Sequence, residues 1–527
     1  MSKNFWETTK QRRKNIKNKT IKSGLEQSSS EQYKASSNKR KESRRAEEEV
    51  QVVKCSSLVL AASCFYSFSA GIGLAHPGIL NAALLSPNAT DIRATVDQAS
   101  WIASIQGFSG LLGFCIFSPL FQIIGRKPVN ILLDIVVIAS WVLLYYSQSI
   151  PMMIFAKSVQ GLAVGGFIIT AVTTSEFTHR KSRGLFLTMN KIALSCGSLL
   201  CHSLALVWNW RVIGAVACLP TILNFIIFCI CPESPAFYAL KGRFQDCEKS
   251  FIWFHGDSED SRQEMKLLIL AQMERLEKDK NEKELLISKL LKKFLRRDFL
   301  IPFFIATLAT FAVDASGRYF LIGYIPQIMI ELTGEKYIGM YCSIIFDCLM
   351  IFALFISTIV IRIFKRRTVL LRFGAASVAL MFAVCLSEVI KNYADAKFKW
   401  VTTVLILVHS SVSTIGLIPA AFTVTMEIFP LDHRGMGSLT AGVAFTLFYA
   451  ITMKITPLMI ETIGISGTYL VFGICVTFCL TILYFILPET KDKSLQEIED
   501  EIRRIKRSPV EIELMISNET ENHKDID

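Results

Sequence analysis

Two decapeptides, SEFTHRKSRG at 175–184 and MEIFPLDHRG at 426–435, each set a glutamate and an arginine with six residues between them, and the second follows the first by 251 residues. A carboxylate and a guanidinium at a watery helix end can pair when neighbouring helix ends meet and hydrate when they part. Such an exposed pair is worth about 0–1 kcal/mol, rising with burial. That chemistry suits a latch. One Glu-x6-Arg would only reflect the gathering of cations at one membrane face, but two in register single out Glu176, Arg183, Glu427 and Arg434.

A second group of ions lies inside apolar runs: Asp134, Lys157, Lys191, Asp314, Arg318, Asp347, Arg372 and Lys454. Each costs roughly 2.5–3.5 kcal/mol to place in a bilayer, so each carries a functional hypothesis, although Arg372 and Lys454 lie near enough to span ends to snorkel. Asp314 and Arg318, four apart on one helical face, are either a self-neutralising pair or ligand contacts. His76, His202 and His409 could couple protons or serve as hydrogen-bonded packing. The 14 Cys, without paired spacing, read as small packing residues and support neither disulfides nor a metal site. No phosphate loop and no nucleophile–base arrangement occurs, so neither ATP-driven transport nor an enzyme is expected.

The elements that must position these residues follow from composition. A chain of 527 residues with 51% hydrophobic and 19% charged residues and mean hydropathy +0.41 must show its apolar side chains to lipid. Twelve candidate spans result, at 57–80, 99–122, 128–147, 151–174, 184–207, 211–231, 299–326, 338–363, 367–389, 400–426, 438–461 and 467–487. Each is near the roughly 20 residues that cross the hydrocarbon, and each must be helical because lipid leaves backbone groups no other partner. Lys and Arg crowd the loops on the side shared by both termini, which predicts cytoplasmic ends and puts the sequon Asn88 outside, where a glycan can be attached. The basic segment 1–56 reads as a disordered tail able to meet anionic lipid, 57–231 and 299–487 as two six-helix units, 232–298 as a charged helical linker, and 488–527 as a tail with an amphipathic helix. The GLAVGG run at 161–166 predicts a close helix contact.

The two decapeptides, with GRK at 125–127, PESPAFYALKGR after span six and PETKDKSLQEIE after span twelve, resemble the sugar porter family of the major facilitator superfamily over positions 57–500. Within it the chain is most similar to insect facilitated trehalose transporter-like proteins. The resemblance implies an all-α membrane protein of twelve transmembrane helices in two pseudo-symmetric six-helix bundles, the major facilitator fold, around a central cavity. It implies a cytoplasmic latch of Arg126, Glu176, Arg183, Glu427 and Arg434, with Pro232, Glu233, Ser234, Pro488, Glu489 and Thr490 tying spans six and twelve to the cytoplasmic helices. Gln122, Lys365 and Ala236 depart from the family pattern, so the latch is expected to be altered in strength.

The same resemblance assigns substrate contact to His76, Lys191, Asp314, Ser316, Arg318, Tyr319, Phe422 and Thr446. Ser316 and Gly317 keep the family's span-seven pattern, whereas Asp314, Tyr319 and Lys191 stand where it has amides; Phe445 and Thr446 replace an Asn-Trp pair. A facilitative plasma-membrane carrier for a sugar, trehalose or a hexose, is the first expectation, with no cofactor, metal or nucleic acid. Because Lys191 and Arg318 invite an anion, an organic-ion carrier stays open, as does a transport-deficient nutrient sensor.

Overall fold

The computed structural model describes residues 57–86, 92–166, 183–256, 297–391, 399–429 and 434–491, with scattered positions between, among them Glu176 and Phe177. Asn88, the N-terminal tail, most of the linker beyond 273 and the closing helix lie outside the described residues, as do the side chains of Arg183 and Arg434. Among the described residues nine helices are long and apolar enough to cross a membrane, from Ser57–Leu84 to Leu439–Ile486. The last counts twice, since Gly464, at φ 73°, breaks it into 434–463 and 465–486. Ile150–Gly165 and Arg183–Leu204 complete the twelve spans.

Several spans extend past their sequence bounds by one to three residues at an end: span two covers Val96–Ile123, span eight Lys336–Ile363 and span nine Arg366–Lys391. Local chemistry explains the ends. Thr95 caps span two through a reciprocal capping box with Gln98, and Asn209 accepts from Val212 N at the start of span six, each satisfying amide groups that have no intrahelical partner. Apolar side chains such as Phe352, Phe355, Phe478 and Phe485 are exposed on the outside, where lipid is their solvent.

Span seven is in two pieces. Arg297–Ala315 and Arg318–Thr333 meet at Gly317, whose φ of 94° is left-handed. The expectation of Asp314 and Arg318 as an i,i+4 pair therefore fails: that spacing places side chains together only on an unbroken helix, and here the helix stops between them. Span ten likewise carries a π-helical turn at Ser413–Leu417.

An even number of spans puts the beginning of span one and the end of span twelve on one face, called proximal below; the other face is distal. The two bundles meet toward the distal side. A Cβ on Gly78 of span one would lie 2.4 Å from Gly323 O of span seven, and one on Gly107 of span two would lie 2.6 Å from the Ala450 Cβ of span eleven. His202 Nδ1 and Ser198 Oγ of span five each lie 2.6 Å from the Asp347 carboxylate of span eight. Lys454 Nζ of span eleven reaches Asp97 Oδ1 at 2.7 Å and Ser100 Oγ at 2.8 Å in span two, over the Trp101 ring.

Candidate functional site

At the proximal face each bundle builds one ion cluster from the same parts. Span three begins at Arg126, and its first amides have no intrahelical acceptor; Glu233, just past span six, takes Arg126 N at 3.0 Å and Lys127 N through both oxygens at 3.2–3.3 Å. A carboxylate there also meets the positive end of the helix dipole. Gly125, at φ 112°, makes this approach possible, because a Cβ on it would stand 2.2 Å from Glu233 Oε2. The Arg126 side chain turns back and grips Glu176 in a two-point bond, Nε and NH2 at 2.8 Å each, while Ser234 Oγ donates to the same carboxylate at 2.6 Å.

The second half repeats this with Glu489 under Arg366 N at 3.0 Å, Thr490 Oγ1 on Glu427 at 2.7 Å and Arg366 opposite Glu427 at 3.5 Å. Lys365 stands where Gly125 stands in the first half, and among the described residues only one oxygen of Glu489 is engaged and Arg366 Nε has no hydrogen-bond partner. The second clasp is thus the looser copy. Both glutamates take the arginine that opens spans three or nine, Arg126 being an expected member of the latch; the side chains of Arg183 and Arg434, the partners that spacing suggests, lie outside the described residues. Arg366 was legible only as a basic loop residue; its signal is its place beside Lys365, matching Arg126 beside Gly125.

Burial holds the Glu233 carboxyl above its ordinary value, while the amides of Ser234, Lys127 and Arg126 and the Arg126 charge pull it down.

The central cavity holds about 970 Å³ of empty space, open solvent included, between spans one to seven and eleven. Its wall is apolar and aromatic, with Leu74, Phe114, Phe445 and Tyr449 among its members, and is set with the hydroxyls of Tyr66, Ser69 and Thr221 and the amides of Gln106 and Gln160. Tyr319 and Thr446 are the two expected contact residues that line it. The break at Gly317 carries Tyr319 against Phe445 and Tyr449, with ring centroids 5.1 and 5.8 Å away.

The other expected contacts lie elsewhere. His76 is fully buried, bonded to Trp210 O at 2.9 Å and set edge-on to Trp141. Asp314 is buried, and among the described residues neither of its oxygens has a hydrogen-bond partner. Ser316 and Arg318 face a small separate pocket with Ser410, Ser413 and Thr414, and Arg318 reaches Ser195 at 3.5 Å. Lys191 is exposed, its Nζ 5.9 Å above the Phe422 ring. None of the described residues lining the central cavity carries a charge.

Gln106 and Gln160 had no role in the sequence expectation, although amides deep in apolar spans are a signal. Gln106 Nε2 donates to Gln160 Oε1 at 2.6 Å, and the buried Lys157 donates to the same oxygen at 2.8 Å. Lys157 Nζ also sits 4.9 Å from the Trp141 ring centroid. Gly161 lets spans two and four close on this pair, since a Cβ there would fall 1.9 Å from Ser109 Oγ and 2.5 Å from Gln106 O.

Known proteins share this plan. The family model described as "Sugar (and other) transporter" matches residues 17–502. The facilitated trehalose transporter Tret1 of Apis mellifera ligustica is 25% identical over 410 residues, 77% of this chain and 80% of that protein. The probable metabolite transport protein CsbC of Bacillus subtilis (strain 168) is 27% identical over 450 residues, 83% of this chain and 94% of its own. Among solved structures, the inward open conformation of the xylose transporter XylE from E. coli superposes with TM-score 0.67 over 85% of this chain and 99% of its own, at 15% identity, a likeness of fold alone.

Proposed function

Because this chain belongs to the sugar (and other) transporter family, we propose that it is a facilitative carrier of a neutral sugar, trehalose or a hexose, working by alternating access. The observation that carries the neutral cargo is the uncharged cavity wall. An ionic substrate would have to leave water for apolar and aromatic side chains without a counter-charge, at a cost of several kcal/mol. A polyol asks for hydroxyls, amides and a flat apolar surface, and those line the cavity. Asp314, Arg318 and Lys191, which kept an ionic cargo open, all stand outside the lining. The trehalose transporter among the relatives fits the same class of solute.

In this reading the proximal face is cytosolic, a reading that the concentration of Lys and Arg in its loops supports, the carrier sits in the plasma membrane, and its basic N-terminal segment meets anionic lipid. The proximal clusters steady the ends of spans within each bundle.

Uptake of labelled trehalose, glucose and a panel of organic ions into expressing cells, with and without a pH gradient, tests the proposal. Saturable sugar uptake indifferent to the gradient is expected. Saturation by an ion with sugar at background would overturn it, and sugar binding without flux would make the chain a sensor.

A further inference from the structure

The orientation of the two cavity amides follows from their neighbours, not from any choice between nitrogen and oxygen. An ammonium has donors and no acceptor, so the Gln160 atom facing Lys157 at 2.8 Å is the carbonyl oxygen. The Gln106 atom facing that same oxygen at 2.6 Å must then be its NH2. Two consequences follow. Gln160 turns its own NH2 away from Lys157, toward Gly73, where a Cβ would lie 3.5 Å from Nε2, and Gly73 lines the cavity. Gln106, 3% exposed, keeps an Oε1 with no hydrogen-bond partner.

The cavity wall thus holds a donor next to Gly73 and, on the amide bonded to it, a buried acceptor without a hydrogen-bond partner among the described residues, both fixed in polarity by Lys157. A group that donates and accepts at once is the chemical complement of such a pair. Hydroxyls do both; carboxylates only accept and ammonium groups only donate. The rest of the wall near it is apolar or aromatic, suited to the C–H face of a sugar ring.

We propose that Gln106 and Gln160, polarised by Lys157, form a hydroxyl-recognition subsite in the first bundle that selects one hydroxyl, or one adjacent pair, of a neutral sugar or polyol. Lys157 is a positioning residue: it fixes the direction of both amides without itself bordering the cavity. This inference rests on the sugar-carrier reading above.

The test uses the full chain in proteoliposomes, with uptake of labelled trehalose and glucose and competition by glucoses that each lack a single hydroxyl. In the wild type one monodeoxy sugar should compete about tenfold more weakly than glucose, the scale of one well-placed hydrogen bond. In Gln160→Leu and Gln106→Leu glucose should weaken by a similar factor while that same monodeoxy sugar is unchanged, so the discrimination disappears. Lys157→Met should blunt the discrimination without abolishing flux. Gln160→Glu, which keeps the shape and loses the donors, guards against a misfolded Leu variant, and melting curves without ligand confirm that each variant is folded. Variants that weaken every sugar by one common factor, or that keep the wild-type discrimination, overturn the subsite and leave the carrier reading intact. No sugar uptake by the wild type would overturn the carrier reading and the subsite with it.

Discussion

At the scale of single residues the two proximal clusters differ in what their arginines hold. Arg126 is 3% exposed and bonds Glu176 at two points, whereas Arg366 is 20% exposed and meets Glu427 at 3.5 Å. Arg126→Ala should approach the about 3–5 kcal/mol of a broken buried pair, and Arg366→Ala should stay near the about 0–1 kcal/mol of an exposed one. Thermal melting of the two purified variants beside the wild type checks the ranking; equal losses would refute it. Glu233 adds a pH dependence with a defined sign. Its folded-state value is the higher one, so its contribution to stability is whole below the ordinary 4.5 and is lost as pH rises through the folded value. The melting temperature of Glu233→Gln minus that of the wild type should therefore grow from acid to neutral pH. A gap that shrinks would show that the amide donors, not burial, dominate. The sequence disclosed the glutamates of these clusters because they repeat, and the family resemblance set Arg126 beside them. Spacing along the chain also favoured Arg183 and Arg434, whose side chains lie outside the described residues, whereas only folding brings the start of span three beneath the end of span four.

At the scale of elements, interruptions matter as much as helices. Twelve spans were legible because lipid forces long apolar runs into helices, but the break in span seven was not, since nothing in VDASGRY besides a glycine marks a left-handed residue. Gly317 and Gly334 both have positive φ, yet a Cβ on Gly317 would crowd Phe320 and Leu321 at 3.1–3.2 Å while one on Gly334 would meet nothing. Gly334→Ala should cost about 1 kcal/mol for the backbone alone, and Gly317→Ala more, up to about 3 kcal/mol. Sugar uptake should fall only for Gly317→Ala, because that break is what turns Tyr319 into the cavity. Equal uptake in the two variants at matched surface expression would disprove the link. The helix contact expected from GLAVGG is present, and its purpose is now specific: Gly161 brings two amides within bonding distance.

At the scale of the whole molecule, the cavity explains why charges inside spans misled. Asp134 is held by Asn224, Asp347 by His202 and Ser198, and Lys157 by Gln160. The burial of Asp134 and of Asp347 is offset by a partner on another span and that of Lys157 by Gln160 on its own span, so these ions are taken up by packing and leave the cavity to neutral groups. Whether an ion faces a pore or a neighbour depends on helix rotation, which a single sequence does not encode locally. The described contacts between bundles gather on the distal side, and opening that side must undo them. Gly78→Val would insert a side chain against the Gly323 carbonyl and should hold the distal side open. Labelling of cysteines placed along the distal half of the cavity should then rise in the variant; unchanged labelling would remove this seam from the mechanism.

The Asp97–Lys454 bridge is unlike the other links between bundles, because Asp97 is 62% exposed. A charge pair bathed by the medium weakens as the Debye length shrinks, from about 10 Å at 0.1 M salt to about 3 Å at 1 M. Salt in the medium that bathes the distal face should therefore loosen this one link between the bundles, so that high ionic strength favours the distally open state and dilute medium the distally closed one.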